Sequence, residues 1–138
     1  MKTHRLIFIC TFIISGIFGC QTNKEPVPIN LQELTIQNIH KAFKDGEYNS
    51  QKLVSAYLER IQELDSTINA INAINPDALT IAKELDDEYQ RTKVLRPLHG
   101  IPVIVKNNIQ TKGLETTAGA LALQDFKPKN DAFIISKL

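Results

Sequence analysis

The sequence predicts an α/β fold, with helices packed against short strands. Three stretches place apolar side chains at helical spacing: Leu34–Phe43, Leu53–Leu64 and Ala78–Tyr89. Two others read as strands: the isoleucine-rich run 68–74 and the apolar triplet Val103-Ile104-Val105. Composition fits a packed body. Hydrophobic residues make up 43% and charged residues 22%, which excludes a disordered, collagen-like or coiled-coil chain. The 138 residues suit one small domain or part of a larger one. Sixteen Lys+Arg against fifteen Asp+Glu leave a formal charge of +1, so no strong field draws in nucleic acid.

Each element has local reasons. The first helix buries Leu34, Ile36, Ile39, Ala42 and Phe43 and is closed by Asp45-Gly46. Ser50 is the expected N-cap of the second, whose stripe is Leu53, Val54, Tyr57, Leu58, Ile61 and Leu64. In Ile68-Asn69-Ala70-Ile71-Asn72-Ala73-Ile74 the period is three, and recurring asparagine with isoleucine favours a short strand over a helix. Asn75-Pro76-Asp77 starts a third helix that runs to about Arg91, with a capping side chain, a proline in the first turn and an acid at the positive end. Asp131 is the expected cap of a last packed helix, Ala132 to Leu138.

The first twenty residues read as an address. Lys2, His4 and Arg5 precede the uncharged run Leu6 to Phe18, the pattern of a secretory signal. The run is short of the roughly 20 residues a membrane-spanning helix needs. It ends in Ile17-Phe18-Gly19-Cys20, which resembles the lipobox of bacterial lipoproteins. That resemblance implies cleavage before Cys20 and acylation of Cys20, with two or more chains giving stable anchorage. An ordinary signal peptide or an uncleaved anchor also fits these residues. The lipobox reading divides the chain into a signal peptide (1–19), a lipidated tether (20–33) and a body (34–138). It implies export and a lipid anchor in the bacterial cell envelope, on the periplasmic or outer-membrane side. Cys10 and Cys20 are the only cysteines, so a disulfide framework and a thiolate zinc site are excluded from the body.

Lys106 directly follows the Val103–Val105 run. An amine drawn inward there would lose solvation, become neutral more readily and serve as a general base. Taken alone, such a lysine is expected simply to extend into water, since charged lysines are almost never fully buried. The small residues of Thr116-Thr117-Ala118-Gly119-Ala120 permit a tight backbone turn.

Together these segments are informative. Pro97 to Leu123, PLHGIPVIVKNNIQTKGLETTAGALAL, resembles the start of the amidase signature family. That family typically reads PLHGIPV, two apolar residues, KDNI, a gap, TTAGS, an apolar residue and AL, then an Asp-Ala pair and a helix. Pro97–Val103, Lys106, Asn108 and Ile109 match the first block, and Thr116–Gly119 with Ala122 and Leu123 match the second. Asp131-Ala132 supplies the pair, and the likeness covers about Leu34 to Leu138. The resemblance implies the N-terminal part of a mixed sheet flanked by helices, and amide hydrolysis by a Ser–cis-Ser–Lys triad. Lys106 matches the catalytic lysine. A small-molecule amide is the implied substrate, with no metal and no organic cofactor.

Two positions depart from that pattern. Asn107 stands where aspartate is usual, which removes a charge that favours protonated lysine and is expected to tune the site. Ala120 stands where serine is common. The family's two catalytic serines lie in a downstream Gly/Ser-rich segment, and Ser15, Ser50, Ser55, Ser66 and Ser136 are not in such a loop. The 138-residue chain is therefore expected to be an inactive N-terminal fragment of an exported amidase. The alternative is a non-catalytic lipoprotein, a binding or envelope module derived from an amidase. A component of a tRNA-dependent amidotransferase would share the motifs, but the export signal argues against it.

Overall fold

The computed structural model describes residues 28–138. The signal and lipobox residues, Cys20 included, lie outside that range. Three α-helices carry the structure: α1 (Ile36–Asp45), α2 (Ser50–Ile68) and α3 (Ala78–Thr92). Single 3-10 turns follow at Leu121–Leu123 and Ile135–Lys137.

Helix α1 begins where Thr35 Oγ1 accepts the Asn38 N–H at 3.1 Å. It ends at Gly46 in the left-handed region (φ 70°), whose N–H reaches the carbonyls of Ala42 and Phe43. The cap of α2 differs from expectation. Asn49, not Ser50, accepts the Lys52 N–H at 3.0 Å, and Ser50 is the buried first residue of the helix. A second cap comes from α3: Asp86 accepts the N–H groups of Ser50 (2.8 Å) and Gln51 (3.1 Å). A carboxylate there also meets the positive end of the helix dipole. Asp86 thereby ties α3 to the start of α2, and the two helices pack together. The core is built on Ile39, Phe43 and Leu53. Burying a residue such as Leu53, fully out of solvent, contributes about 1.5–3 kcal/mol. Ile29 and Leu31 pack against this cluster, so the described body extends upstream of Leu34.

No strand forms among the described residues. In the 68–74 run, Ile68 completes α2 and Asn69 closes it at φ 52°. The Asp65 carboxylate then accepts the Ala70 (2.7 Å) and Ile71 (3.1 Å) N–H groups. Those donors serve a helix-end turn, which overrides the strand expected there. Residues 103–105 form neither helix nor turn and find no backbone partner among the described residues, and a strand exists only through a ladder. Helix α3 starts at Ala78, two residues beyond Pro76, because Asn75 holds a turn by accepting the Asp77 N–H at 2.9 Å.

The packed helix expected over 132–138 is also absent. Only its last turn winds, and Phe133 and Ile134 are 79% and 60% exposed. Helices this short depend on burying an apolar face, and nothing among the described residues covers this one. Asp131 does not cap it: its carboxylate accepts the Lys112 N–H at 2.7 Å.

Arg96, just ahead of the motif segment, pairs with Glu88 of α3. The hydrogen bond from Arg96 holds the Glu88 carboxyl below its usual 4.5. A depressed carboxyl stabilises the fold above its unfolded pKa, and that contribution is lost as pH falls through the folded value. Glu88→Gln is therefore expected to flatten the fall in urea midpoint below about pH 4.5 and leave the slope near neutrality unchanged.

Candidate active site

The segment leading to Lys106 is fixed at its start. His99 is 2% exposed, and its Nε2–H donates to the Leu85 carbonyl of α3 at 2.9 Å. A carbonyl only accepts, which sets that ring nitrogen as the protonated one. The His99 carbonyl in turn accepts from His40 Nε2 of α1 at 3.0 Å. One residue thus joins α1 and α3 to the motif segment. Turns on either side, His99 N–H to Arg96 O and Ile101 N–H to Leu98 O, orient it. Gly100 follows at φ 72°, pressed into the core. A Cβ on it would lie 2.2 Å from Ser50 Oγ and 2.9 Å from Phe43 Cε2. Only glycine satisfies both the angle and the space.

From this anchor, residues 101–105 run to Lys106 without helix or turn. Residues 102–105 form one wall of an open groove of about 1090 Å³. Tyr57, Ile61, Leu64 and Ile68 of α2 line another wall, and Ile71 and Ile74 continue it. The period-three isoleucines therefore serve the groove although they form no strand. Lys106 is exposed and lines the groove.

The second motif block is held beside Lys106 by Asn107. The Thr117 N–H donates to Asn107 Oδ1 at 2.6 Å, and the Ala118 N–H donates to the Asn107 carbonyl at 3.1 Å. The Lys106 carbonyl accepts from Ile109 N–H at 2.9 Å, closing a turn just after the lysine. Ala118 and Gly119 both have positive φ, 49° and 75°. Their turn is closed by Ala120 N–H to Thr117 O at 2.8 Å and by Gly119 N–H to Thr117 Oγ1 at 3.3 Å. Thr116 is buried, and its N–H donates to Phe126 O at 2.9 Å. The Asp131-Ala132 pair braces the far side through Lys112 and Gln110.

The fold thus brings Lys106 and Thr116–Gly119 together through Asn107. No serine is among the groove-lining residues, and Ser50 is held in the core against Gly100. No cluster of three metal-ligating side chains occurs among the described residues, and no described helix is long and apolar enough to cross a membrane. The tertiary cap by Asp86 and the His99 links were not foreseeable. Each joins residues 14 to 59 apart in sequence, and neither follows from local spacing.

A family model described as Amidase matches residues 52–138, and the chain belongs to this family. A Schizosaccharomyces pombe protein assigned as an amidase is 40% identical over 122 residues, covering 85% of this chain and 21% of its own. A glutamyl-tRNA(Gln) amidotransferase component from Natranaerobius thermophilus is 37% identical over 111 residues, covering 80% and 23%. Among solved structures, a peptide amidase from Stenotrophomonas maltophilia aligns with a TM-score of 0.73 at 40% identity, over 78% of this chain and 22% of that one. The chain spans about a fifth of the length of these relatives. Its fold is accordingly that of part of an amidase.

Gly100→Ala is expected to destabilise the protein by about 2–4 kcal/mol, combining a left-handed alanine with overpacking against Ser50 and Phe43. Denaturant unfolding monitored by circular dichroism measures it. A loss below about 1 kcal/mol would show that the anchor yields without strain.

Proposed function

We propose that this chain is the lysine-bearing N-terminal part of an exported amide hydrolase, with Lys106 as general base of a Ser–cis-Ser–Lys relay. The observation that carries this reading is the setting of Lys106. It ends a segment anchored in the core at Gly100, lines an open groove, and adjoins the Thr116–Gly119 turn.

In the proposed reaction the neutral Lys106 amine takes a proton from a bridging serine. That serine deprotonates the nucleophilic serine, which attacks the amide carbonyl. Backbone N–H groups hold the oxyanion, the amine leaves with a proton, and water cleaves the acyl-enzyme to the acid. Both serines would come from the portion of the relatives that this chain does not span. On this reading the 138 residues alone are inactive. Similarity to a peptide amidase supports a small-molecule amide as substrate. Similarity to the amidotransferase component favours a second reading, a role in a tRNA-dependent amidotransferase. The charged start and the apolar run Leu6–Phe18 argue instead for export, away from charged tRNA.

We infer further that Cys20 is lipidated and holds the protein at the bacterial cell envelope. Its support is the Ile17–Cys20 pattern.

In the full-length protein, Lys106→Ala is expected to lower kcat/KM for an amide substrate by about 10⁴-fold. Retained activity would remove Lys106 from the mechanism. Cys20→Ala is expected to move the protein from the membrane pellet to the soluble fraction and to abolish palmitate labelling in cells. Unchanged membrane association without label would refute lipidation.

A further inference from the structure

We propose that Asn107 is the positioning residue for Lys106, and that it does this work as a neutral clamp. The inference rests on the amide-hydrolase reading and deepens it. Asn107 holds the second motif block with two oxygens at once, Oδ1 on the Thr117 N–H (2.6 Å) and its own carbonyl on the Ala118 N–H (3.1 Å). One side-chain and one backbone acceptor thus join the turn after Lys106 to the Thr116–Gly119 segment. The side chain is half-buried, so water competes poorly for the contact. The turn it holds has two successive positive-φ residues, Ala118 and Gly119, a conformation that alanine adopts at a cost and keeps only where outside bonds enforce it. Because Thr117 N–H is a donor, the side-chain atom facing it is the amide oxygen. A carboxylate would accept the same bond. What the amide changes is charge: it clamps without setting an anion next to the lysine that must be neutral to take a proton.

Clamp and charge are separable by substitution. Asn107→Ala removes the Oδ1 acceptor, keeps the main-chain carbonyl and adds no charge, while Asn107→Asp keeps both acceptors and adds a charge. In the full-length enzyme with an amide substrate, Asn107→Ala is expected to lower kcat about 10- to 100-fold with KM nearly unchanged, the signature of a misplaced base. Hydrogen exchange at the Thr117 amide should speed up in the same variant. Asn107→Asp should recover most of kcat at alkaline pH, and its acidic limb should move to higher pH, because the added carboxylate favours the ammonium form.

Wild-type kcat in Asn107→Ala would overturn the clamp, as would Asn107→Asp being equally impaired at every pH. An acidic limb unmoved in Asn107→Asp would overturn the neutral-charge part, and this arm decides alone if Asn107→Ala does not fold. The parent reading fails separately. A wild-type protein that hydrolyses no amide, or a fully active Lys106→Ala, would overturn it, and the positioning role with it, before any Asn107 variant is made.

Discussion

At Gly100 the backbone of the motif segment touches the core so closely that no side chain fits between it and Ser50. Burial at this point depends on two neighbours made ready elsewhere. Ser50 stands there because the Asp86 carboxylate and Asn49 fix the first turn of α2. Phe43 stands there because α1 is capped at both ends and packs through Ile39 and Leu53. His99 then links the segment to α1 and α3 through carbonyl hydrogen bonds. Three helices therefore converge on two residues, and the position of Lys106 is inherited from that convergence.

From Gly100 to Lys106 the chain has no ladder partner among the described residues, so the lysine needs a second constraint at its own end. Asn107 supplies it by binding the Thr117–Ala118 backbone. The two constraints differ in kind. The first is close packing in the buried core, supported by the hydrogen bonds of Asp86 and His99. The second is polar and partly solvent-accessible, hence open to adjustment by a single substitution. A reactive group held this way can be tuned at the polar end without disturbing the core.

Much of this was legible in the residues. The apolar stripes placed all three helices to within a few residues, and Gly46 marked the end of α1 because a left-handed cap favours glycine. The two motif blocks were legible as a resemblance, but the bonds that join them through Asn107 were not. What was not legible depended on tertiary partners. Ser50 looked like a cap because serine commonly is one, yet Asn49 beside it took the role and left Ser50 for the core. The 68–74 run looked like a strand because isoleucine favours strands, but Asp65 used two of its N–H groups to end α2. Asn107 was visible only as a departure from a pattern. Its bond to Thr117 spans ten residues and a turn that no local propensity specifies.

The missing strands follow from the difference between local and non-local structure. Helices α1–α3 satisfy their backbones within themselves and need only one another's faces to bury their stripes. The segment 102–105 satisfies nothing internally. It keeps Ile104 80% and Val103 52% exposed beside a groove walled by isoleucine and leucine. An apolar segment whose N–H and C=O groups find no partner among the described residues is a template for an added strand. Relatives roughly four times as long have ample chain to provide one. The helical layer stands without a sheet among the described residues, with the Lys106 segment anchored on it at Gly100. Any sheet completed later must adopt the register that this anchor sets, because a one-residue slip would turn every side chain of the segment to the opposite face.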